Sequence, residues 1–321
     1  MPLVDKPQLL ILLPQDRMRE ELHRMLVARV PDVVARAAAT AAEAMAFAAD
    51  IDAIATFGST LTPPLLAAAR RLRWVHSLGT GVDSIADNPD LGADVLVTAT
   101  RGIQGPAIAE MAFCMMLALS RDLPRNLKNQ TACRWERWPA ALLYGKKIGI
   151  LGVGAIAQDL AARCKAFGMD VTGISRTPRF APGFDRMVGH EAMHVALGEL
   201  DYVVLTIPYS LESDRIVNAK FLSCMKPSAF LVNLARGGVV DEEALVRALR
   251  RRQIAGAGLD VFSAEPLPPA SPLWKLDNVI ITAHQGGMSD TYVADAFPVL
   301  ERNLRAFGAG TSGAMENLVA R

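Results

Sequence analysis

Residues 146–157 read KKIGILGVGAIA, a short apolar strand that runs straight into Gly152-x-Gly154-x-x-Ala157. No other stretch restricts the fold as strongly. The strand Lys147–Leu151 has to turn sharply into a helix, which favours Gly152. A pyrophosphate has to approach the backbone closely, which favours Gly154, and the small Ala157 lets the helix pack tightly on its strand. The first helical amides, at Ala155 and Ile156, face the phosphates, where the helix dipole favours negative charge. Alone, the motif fits a dinucleotide site or a mere tight turn. The rest of the chain decides.

From residue 146 onward, apolar runs alternate with helical patterns. Strands are expected at 147–151, 170–174, 186–188, 202–206, 229–233, 256–260 and 279–282, with helices between them, most clearly at 155–167 and 241–252. Continuous Val/Ile/Leu runs mark strands buried on both faces, as in a parallel sheet. This describes an α/β, doubly wound (Rossmann) domain. The first hundred residues repeat the rhythm, with strands near 9–13, 53–56, 74–77 and 95–98, and so suggest a smaller flavodoxin-like α/β domain. The Ala-rich segment 34–49 reads as a surface helix. No strand is expected after 287, only a helix at about 290–307 that returns to the first domain. The expected division is therefore 1–104 with 287–321, and 105–286, with crossings near Gly105 and Gly286 acting as hinges around a cleft.

A chain of 321 residues, 51% apolar and 21% charged, has the composition and size of about two well-packed domains. A net charge of +1 offers no surface for nucleic acid or an anionic membrane. The apolar runs Leu9–Leu13 and Met111–Leu119 are far shorter than the roughly 20 residues of a membrane span. The four cysteines (114, 133, 164 and 224) form no CxxC pair, which fits a reduced, cytoplasmic setting.

The chemistry gathers at strand ends, where open α/β sheets bind ligands. NLARGGVVDEEAL (233–245) places Arg236 after a strand, GLDVFSAEPL (258–267) places Asp260 at a strand end with Glu265 in the following loop, and ITAHQGG (281–287) places His284 after the last strand. An arginine, a carboxylate and a histidine on three successive strand ends can converge on one crevice.

With LGTGVDSI (78–85), the 148–157 fingerprint and TIPYSLES (206–213) in order, these blocks resemble the D-isomer-specific 2-hydroxyacid dehydrogenase family over essentially the whole chain. The resemblance implies that Arg236 binds the substrate carboxylate and polarises its 2-keto group. It implies that His284 exchanges a proton with the 2-oxygen and that Glu265 orients and charges His284. Leu78 and Gly79 would offer backbone amides to the carboxylate, Asp260 would anchor the nicotinamide carboxamide, and Pro208 and Ser213 would border the cofactor, together with Ala235 and Gly286. A homodimer is implied as well, with Trp135 and Trp138 either at its contact or in the domain core. The chemistry is coherent by itself. A planar guanidinium grips carboxylate and carbonyl oxygens together. A developing alkoxide needs a proton from a group poised near neutrality, and a neighbouring carboxylate favours the cationic histidine.

The chain departs from the NAD pattern at its second strand. NAD enzymes usually end it with Asp or Glu, which holds the ribose 2′-OH. Here the strand ends in Ser175-Arg176-Thr177, with no carboxylate to repel a 2′-phosphate. NADP(H) is therefore the expected cofactor, with NAD(H) second. The expected substrates are small 2-oxo/2-hydroxy acids such as glyoxylate or hydroxypyruvate. The alternatives are a dinucleotide-sensing binding protein or corepressor on the same fold, or a phosphite or formate dehydrogenase.

Three histidines have bland readings. His190-Glu191-Ala192-Met193-His194 matches the zinc signature HExxH, but no third ligand is nearby. Met193, Leu197 and Leu200 give a short helix its buried stripe, and no metal is expected. His76 either lines the cleft beside Leu78-Gly79 or packs at a strand end.

Overall fold

A computed structural model describes residues 6–320, so residues 1–5 and 321 of the expected first domain lie outside the described residues. The chain divides into two compact units. One holds the described residues up to Ile103 together with those from Ser289 onward, and the other is Gln104–Met288.

The strands in chain order are β1 (Gln8–Leu12), β2 (Val34–Ala38), β3 (Ala53–Thr56), β4 (Trp74–Ser77), β5 (Leu96–Ala99), β6 (Lys147–Leu151), β7 (Asp170–Ile174), β8 (Arg186–Val188), β9 (Tyr202–Leu205), β10 (Phe230–Asn233), β11 (Gly256–Leu259) and β12 (Val279–Ile281). The helices are α1 (Asp16–Arg29), α2 (Ala41–Ala44), α3 (Pro63–Ala68), α4 (Asp83–Ala86), α5 (Gly105–Ser120), α6 (Leu123–Thr131), α7 (Ala155–Ala166), α8 (Met193–Leu197), α9 (Ala219–Cys224), α10 (Glu242–Arg250) and α11 (Tyr292–Gly308).

In the first unit, five parallel strands run in the order β2-β1-β3-β4-β5, the flavodoxin-like order. Strands β3 and β4 are buried throughout, including the polar Thr56, His76 and Ser77, as central strands of a sheet covered on both faces are. The last helix, α11, packs Phe297, Leu300, Leu304 and Phe307 against Leu9, Ile11 and Trp74, so the C-terminal segment completes this unit's core.

Segment 34–49 corrects the sequence reading. It is not one surface helix: Val34–Ala38 is the edge strand β2, paired in register with β1, and only Ala41–Ala44 is α-helical before a 3₁₀ turn. Thr40 breaks the run by capping α2, its side chain accepting from the Glu43 amide. Alanine's helix preference is a fraction of a kcal/mol per residue, and ladder hydrogen bonds from β1 override it. An edge strand with one buried position has no apolar alternation for a reader to find.

In the second unit, seven parallel strands run in the order β12-β11-β10-β9-β6-β7-β8. The chain leaves β6 toward β7 and β8, then crosses to β9 on the opposite side of β6. This makes the β6/β9 junction the topological switch, beside whose C-terminal ends such sheets bind ligands. The core lies on both faces of the sheet, with α5 and α7 on one and α9 and α10 on the other. Among the described residues, no helix is long and apolar enough to cross a membrane.

Candidate active site

The glycine turn sits at the end of β6. Gly152 has φ +97°, and a Cβ there would come within 2.6 Å of the Ile207 side chain and 2.9 Å of its backbone nitrogen. Gly154 has open space where a Cβ would stand, and it begins α7 with an extended backbone. The amides of Ala155 and Ile156 open the helix, and Ala157 is fully buried against the sheet. The three small residues thus serve a tight turn, an open approach and close packing. Thr206, on the other side of the switch, donates its hydroxyl to the Gly152 carbonyl at 3.0 Å and steadies the turn. The sequence reading gave Thr206 no role, because only the strand order makes it a neighbour of Gly152.

At the end of β7, the Ser175 hydroxyl is buried without a hydrogen-bond partner. A buried hydroxyl in that state is costly and points to a missing partner. Arg176 and Thr177 follow, both exposed. One expectation is corrected here: a carboxylate is available. Glu212, from the loop after β9, forms a short ion pair with Arg176, and both side chains are largely exposed. In that loop Ser213 is buried, donating to Pro208 O at 2.9 Å and accepting from the Ser210 amide at 2.8 Å. Its hydroxyl therefore shapes the Pro208 turn.

Arg236 follows β10. Asn233 holds its loop from both sides, accepting from the Ala235 amide and donating to Arg236 O, each at 3.0 Å. Arg236 also donates to Ala235 O at 2.7 Å. Of the carboxylates that open α10, Asp241 caps the helix through the Ala244 amide and Glu242 accepts from the Ser263 amide. Gly237 is the residue the sequence reading passed over. A Cβ there would sit 1.9 Å from the Phe262 carbonyl carbon, so only glycine lets the Arg236 loop lie against the loop carrying Glu265.

Glu265 and His284 meet directly, with Oε2 2.7 Å from Nδ1. The other carboxylate oxygen, Oε1, accepts from the Phe262 amide at 2.9 Å. Partial burial would raise the Glu265 pKa. Its hydrogen bonds from His284 and Phe262, with the positive charge of Arg236 nearby, outweigh this and hold the carboxyl below its ordinary range. Because the carboxylate accepts at Nδ1, that nitrogen carries the proton and Nε2 is left for exchange. The His284 side chain keeps 48% of its surface exposed, as a proton-exchanging group needs.

Asp260 holds this histidine in place. It is buried, and its carboxylate accepts from Thr282 Oγ1 at 2.5 Å, Gln285 N at 2.9 Å and Gly286 N at 2.8 Å. Its carbonyl accepts from the His284 amide at 2.7 Å, while His284 itself takes a left-handed backbone with φ 49°. Three of a carboxylate's roughly four acceptor positions are thus used inside the loop. Asp260 and Gly286 act first as the frame of the His284 turn.

These side chains stand on the C-terminal ends of β10, β11 and β12, on one side of the switch, and the glycine turn stands on β6 beside it. Residues 113–286 match the family of the D-isomer specific 2-hydroxyacid dehydrogenase, NAD binding domain. A glyoxylate reductase from Thermococcus onnurineus is 39% identical over 275 residues, covering 81% of this chain and 81% of that protein. The chain belongs to the D-isomer specific 2-hydroxyacid dehydrogenase family. Two solved structures share the fold over its length. A family protein from Aeromonas salmonicida superposes with a TM-score of 0.88 at 32% identity, covering 98% of this chain and 99% of that one. A D-isomer specific 2-hydroxyacid dehydrogenase from Xanthobacter autotrophicus, in complex with NADPH and MES, gives 0.81 at 30%, covering 98% of each. As a member of this family, the dehydrogenase is an oxidoreductase that uses a nicotinamide dinucleotide.

In the first unit the Leu78–Gly79 turn follows β4. His76 on that strand is fully buried, with Nδ1 2.7 Å from Thr98 Oγ1 and Nε2 3.0 Å from Thr100 Oγ1. Burial lowers its pKa to about 3, so it is a neutral packing residue. The HExxH match does not form a helical pair: His190 and Glu191 lie in a turn and α8 begins only at Met193. Among the described residues, no group of three or more His, Cys, Asp or Glu side chains could hold a metal. Trp135 is 92% exposed and Trp138 lies under Arg125, whose guanidinium carbon is 4.2 Å from the ring centroid. The domain-core alternative for these tryptophans is therefore ruled out for Trp135.

Proposed function

We propose that this dehydrogenase reduces small 2-oxo acids, glyoxylate and hydroxypyruvate first among them, with NADP(H). The observation that carries the reading is the 2.7 Å His284–Glu265 contact, with Arg236 in the loop packed against it. Arg236 grips the carboxylate and draws electron density from the 2-keto oxygen. His284 delivers the proton from Nε2 as the oxygen becomes an alkoxide, and Glu265 stabilises the resulting charge states while fixing the ring. The Leu78–Gly79 turn is proposed as a second hold on the carboxylate through the amides that follow it. Contrary to the expectation from the sequence, the amides of Leu78 and Gly79 themselves donate within the fold, to Thr56 O at 2.8 Å and Ser77 Oγ at 3.2 Å. When bound, the cofactor supplies the hydride. Gly152, Gly154, Ala155 and Ile156 would receive its pyrophosphate, with Pro208, Ser213, Ala235, Asp260 and Gly286 around the remainder.

The NADP(H) preference rests on Ser175, whose orphaned hydroxyl fits an additional phosphate oxygen, with Arg176 and Thr177 beside it. The Glu212 carboxylate on Arg176 favours the second choice, NAD(H), because it already occupies the guanidinium. An exposed pair of this kind is worth only about 0–1 kcal/mol, so a 2′-phosphate can displace it. We further propose a cytoplasmic homodimer. A panel of 2-oxo acids assayed with NADPH and NADH in parallel tests the whole reading. Faster reduction with NADPH, strongly impaired in Arg236→Ala, is expected. Near-normal turnover of every acid by Arg236→Ala would sink the assignment, and equal kcat/KM with both cofactors would sink the NADP(H) preference.

A further inference from the structure

Tyr292 is the first residue of α11, and its buried hydroxyl donates a short hydrogen bond to the carbonyl of Leu78. Its ring leans on Phe57, 6.0 Å between centroids, in the loop that follows β3. The Leu78 peptide is thereby held on both sides, since the Leu78 amide donates to Thr56 O at 2.8 Å. The next carbonyls are held too. Gly79 O accepts from the Thr100 amide at 3.2 Å, and Gly81 O accepts the single Ser77 hydroxyl proton at 2.9 Å.

The consequence is electrostatic. A trans peptide points its C=O and N–H in opposite directions. Tying the oxygens at 78, 79 and 81 to donors of the fold turns the following amides the other way: that of Gly79 meets Ser77 Oγ at 3.2 Å, and those at 80 and 82 give the loop its positive face. An anion is attracted to amides and repelled by carbonyl oxygens, so a carboxylate needs a loop whose oxygens are already committed. We propose that Tyr292 is a positioning residue: its hydroxyl orients the Leu78–Gly79 peptide so that the loop binds the substrate carboxylate. This rests on the reading of that loop given above. Removing the hydroxyl leaves the Leu78 carbonyl buried without its donor, and the peptide gains a reason to rotate.

Tyr292→Phe keeps the ring and removes only the hydrogen bond. Calorimetric titration with oxalate, a carboxylate that cannot be reduced here, is expected to show about tenfold weaker binding than wild type. ADP-ribose binding and the melting temperature stay where they were. In turnover, KM for the 2-oxo acid rises by a similar factor, while kcat and KM for the cofactor hold. Phe57→Leu, which keeps the hydroxyl and loosens the ring, weakens oxalate in the same direction by less, and it stands in if Tyr292→Phe folds poorly. Unchanged oxalate affinity in both variants overturns the proposal, as does an equal loss of ADP-ribose binding or a wild type that ignores oxalate. A wild type that binds oxalate with this dependence on Tyr292 but reduces no 2-oxo acid supports the proposal and refutes the assigned reaction instead.

Discussion

Among single residues, Glu265 has the most instructive charge. Its pKa lies below the ordinary carboxylate range, so it remains ionised in the folded protein as pH falls through about 4.3. Its contribution to stability and to the His284 contact is complete above that range and is lost only as pH falls through the lowered value. The acid side of the kcat/KM profile for reduction should therefore hold through the ordinary carboxylate range, and Glu265→Gln should remove any limb due to this group. Glu265→Gln should also lower kcat by at least tenfold, since a general acid contributes about a hundredfold or more when properly held. Steady-state kinetics across pH on both proteins checks this; identical profiles would mean that Glu265 does not act through His284. Arg236, Asp260 and His284 were legible in the sequence because each stands just after an apolar run, and Glu265 because it lies in the loop that follows one. Glu212 beside Arg176 was not: the two are 36 positions apart and meet only through the strand order.

Among the elements, loops decide more than strands. Gly237 allows the β10 and β11 loops to touch, and a Cβ would meet backbone that cannot rotate away. Gly237→Ala should destabilise the protein by about 1–3 kcal/mol and separate Arg236 from Glu265, with kcat/KM falling even in the fraction that stays folded. Denaturant titration beside kinetics separates the two effects, and wild-type values in both would refute the packing argument. The segment after α6 is the second case. Trp135, Leu142 and Tyr144 are 92%, 57% and 75% exposed, an apolar load typical of a buried contact between subunits. Trp135→Glu should convert the proposed dimer to monomer in light-scattering chromatography; a wild type already monomeric would refute the dimer. Strands buried on both faces were read to within a residue or two. Edge strand β2 was not, because its single buried position leaves nothing for periodicity to reveal.

For the whole molecule, acid sensitivity should begin in the five-stranded unit. His76 has a folded pKa of about 3 against about 6.5 when unfolded. Below pH 6.5 only the unfolded chain takes up this proton, so stability should fall by about 1.4 kcal/mol per pH unit until pH nears 3. Chemical unfolding at pH 7.5 and 5.5, with hydrogen exchange to locate the opening, checks this, and His76→Asn should flatten the slope. An unchanged wild-type midpoint would mean that His76 is protonated in place. The sequence by itself determined the alternation of strand and helix, the glycine turn and the residue types at the strand ends. These depend on local burial and local backbone geometry, which neighbouring residues report. Only the tertiary structure decided what meets across distance: the Glu212–Arg176 pair, the contact at Gly237, and the Tyr292–Leu78 hydrogen bond across 214 positions. Those contacts depend on strand order and on where a returning segment lands, and no periodicity in the chain encodes either.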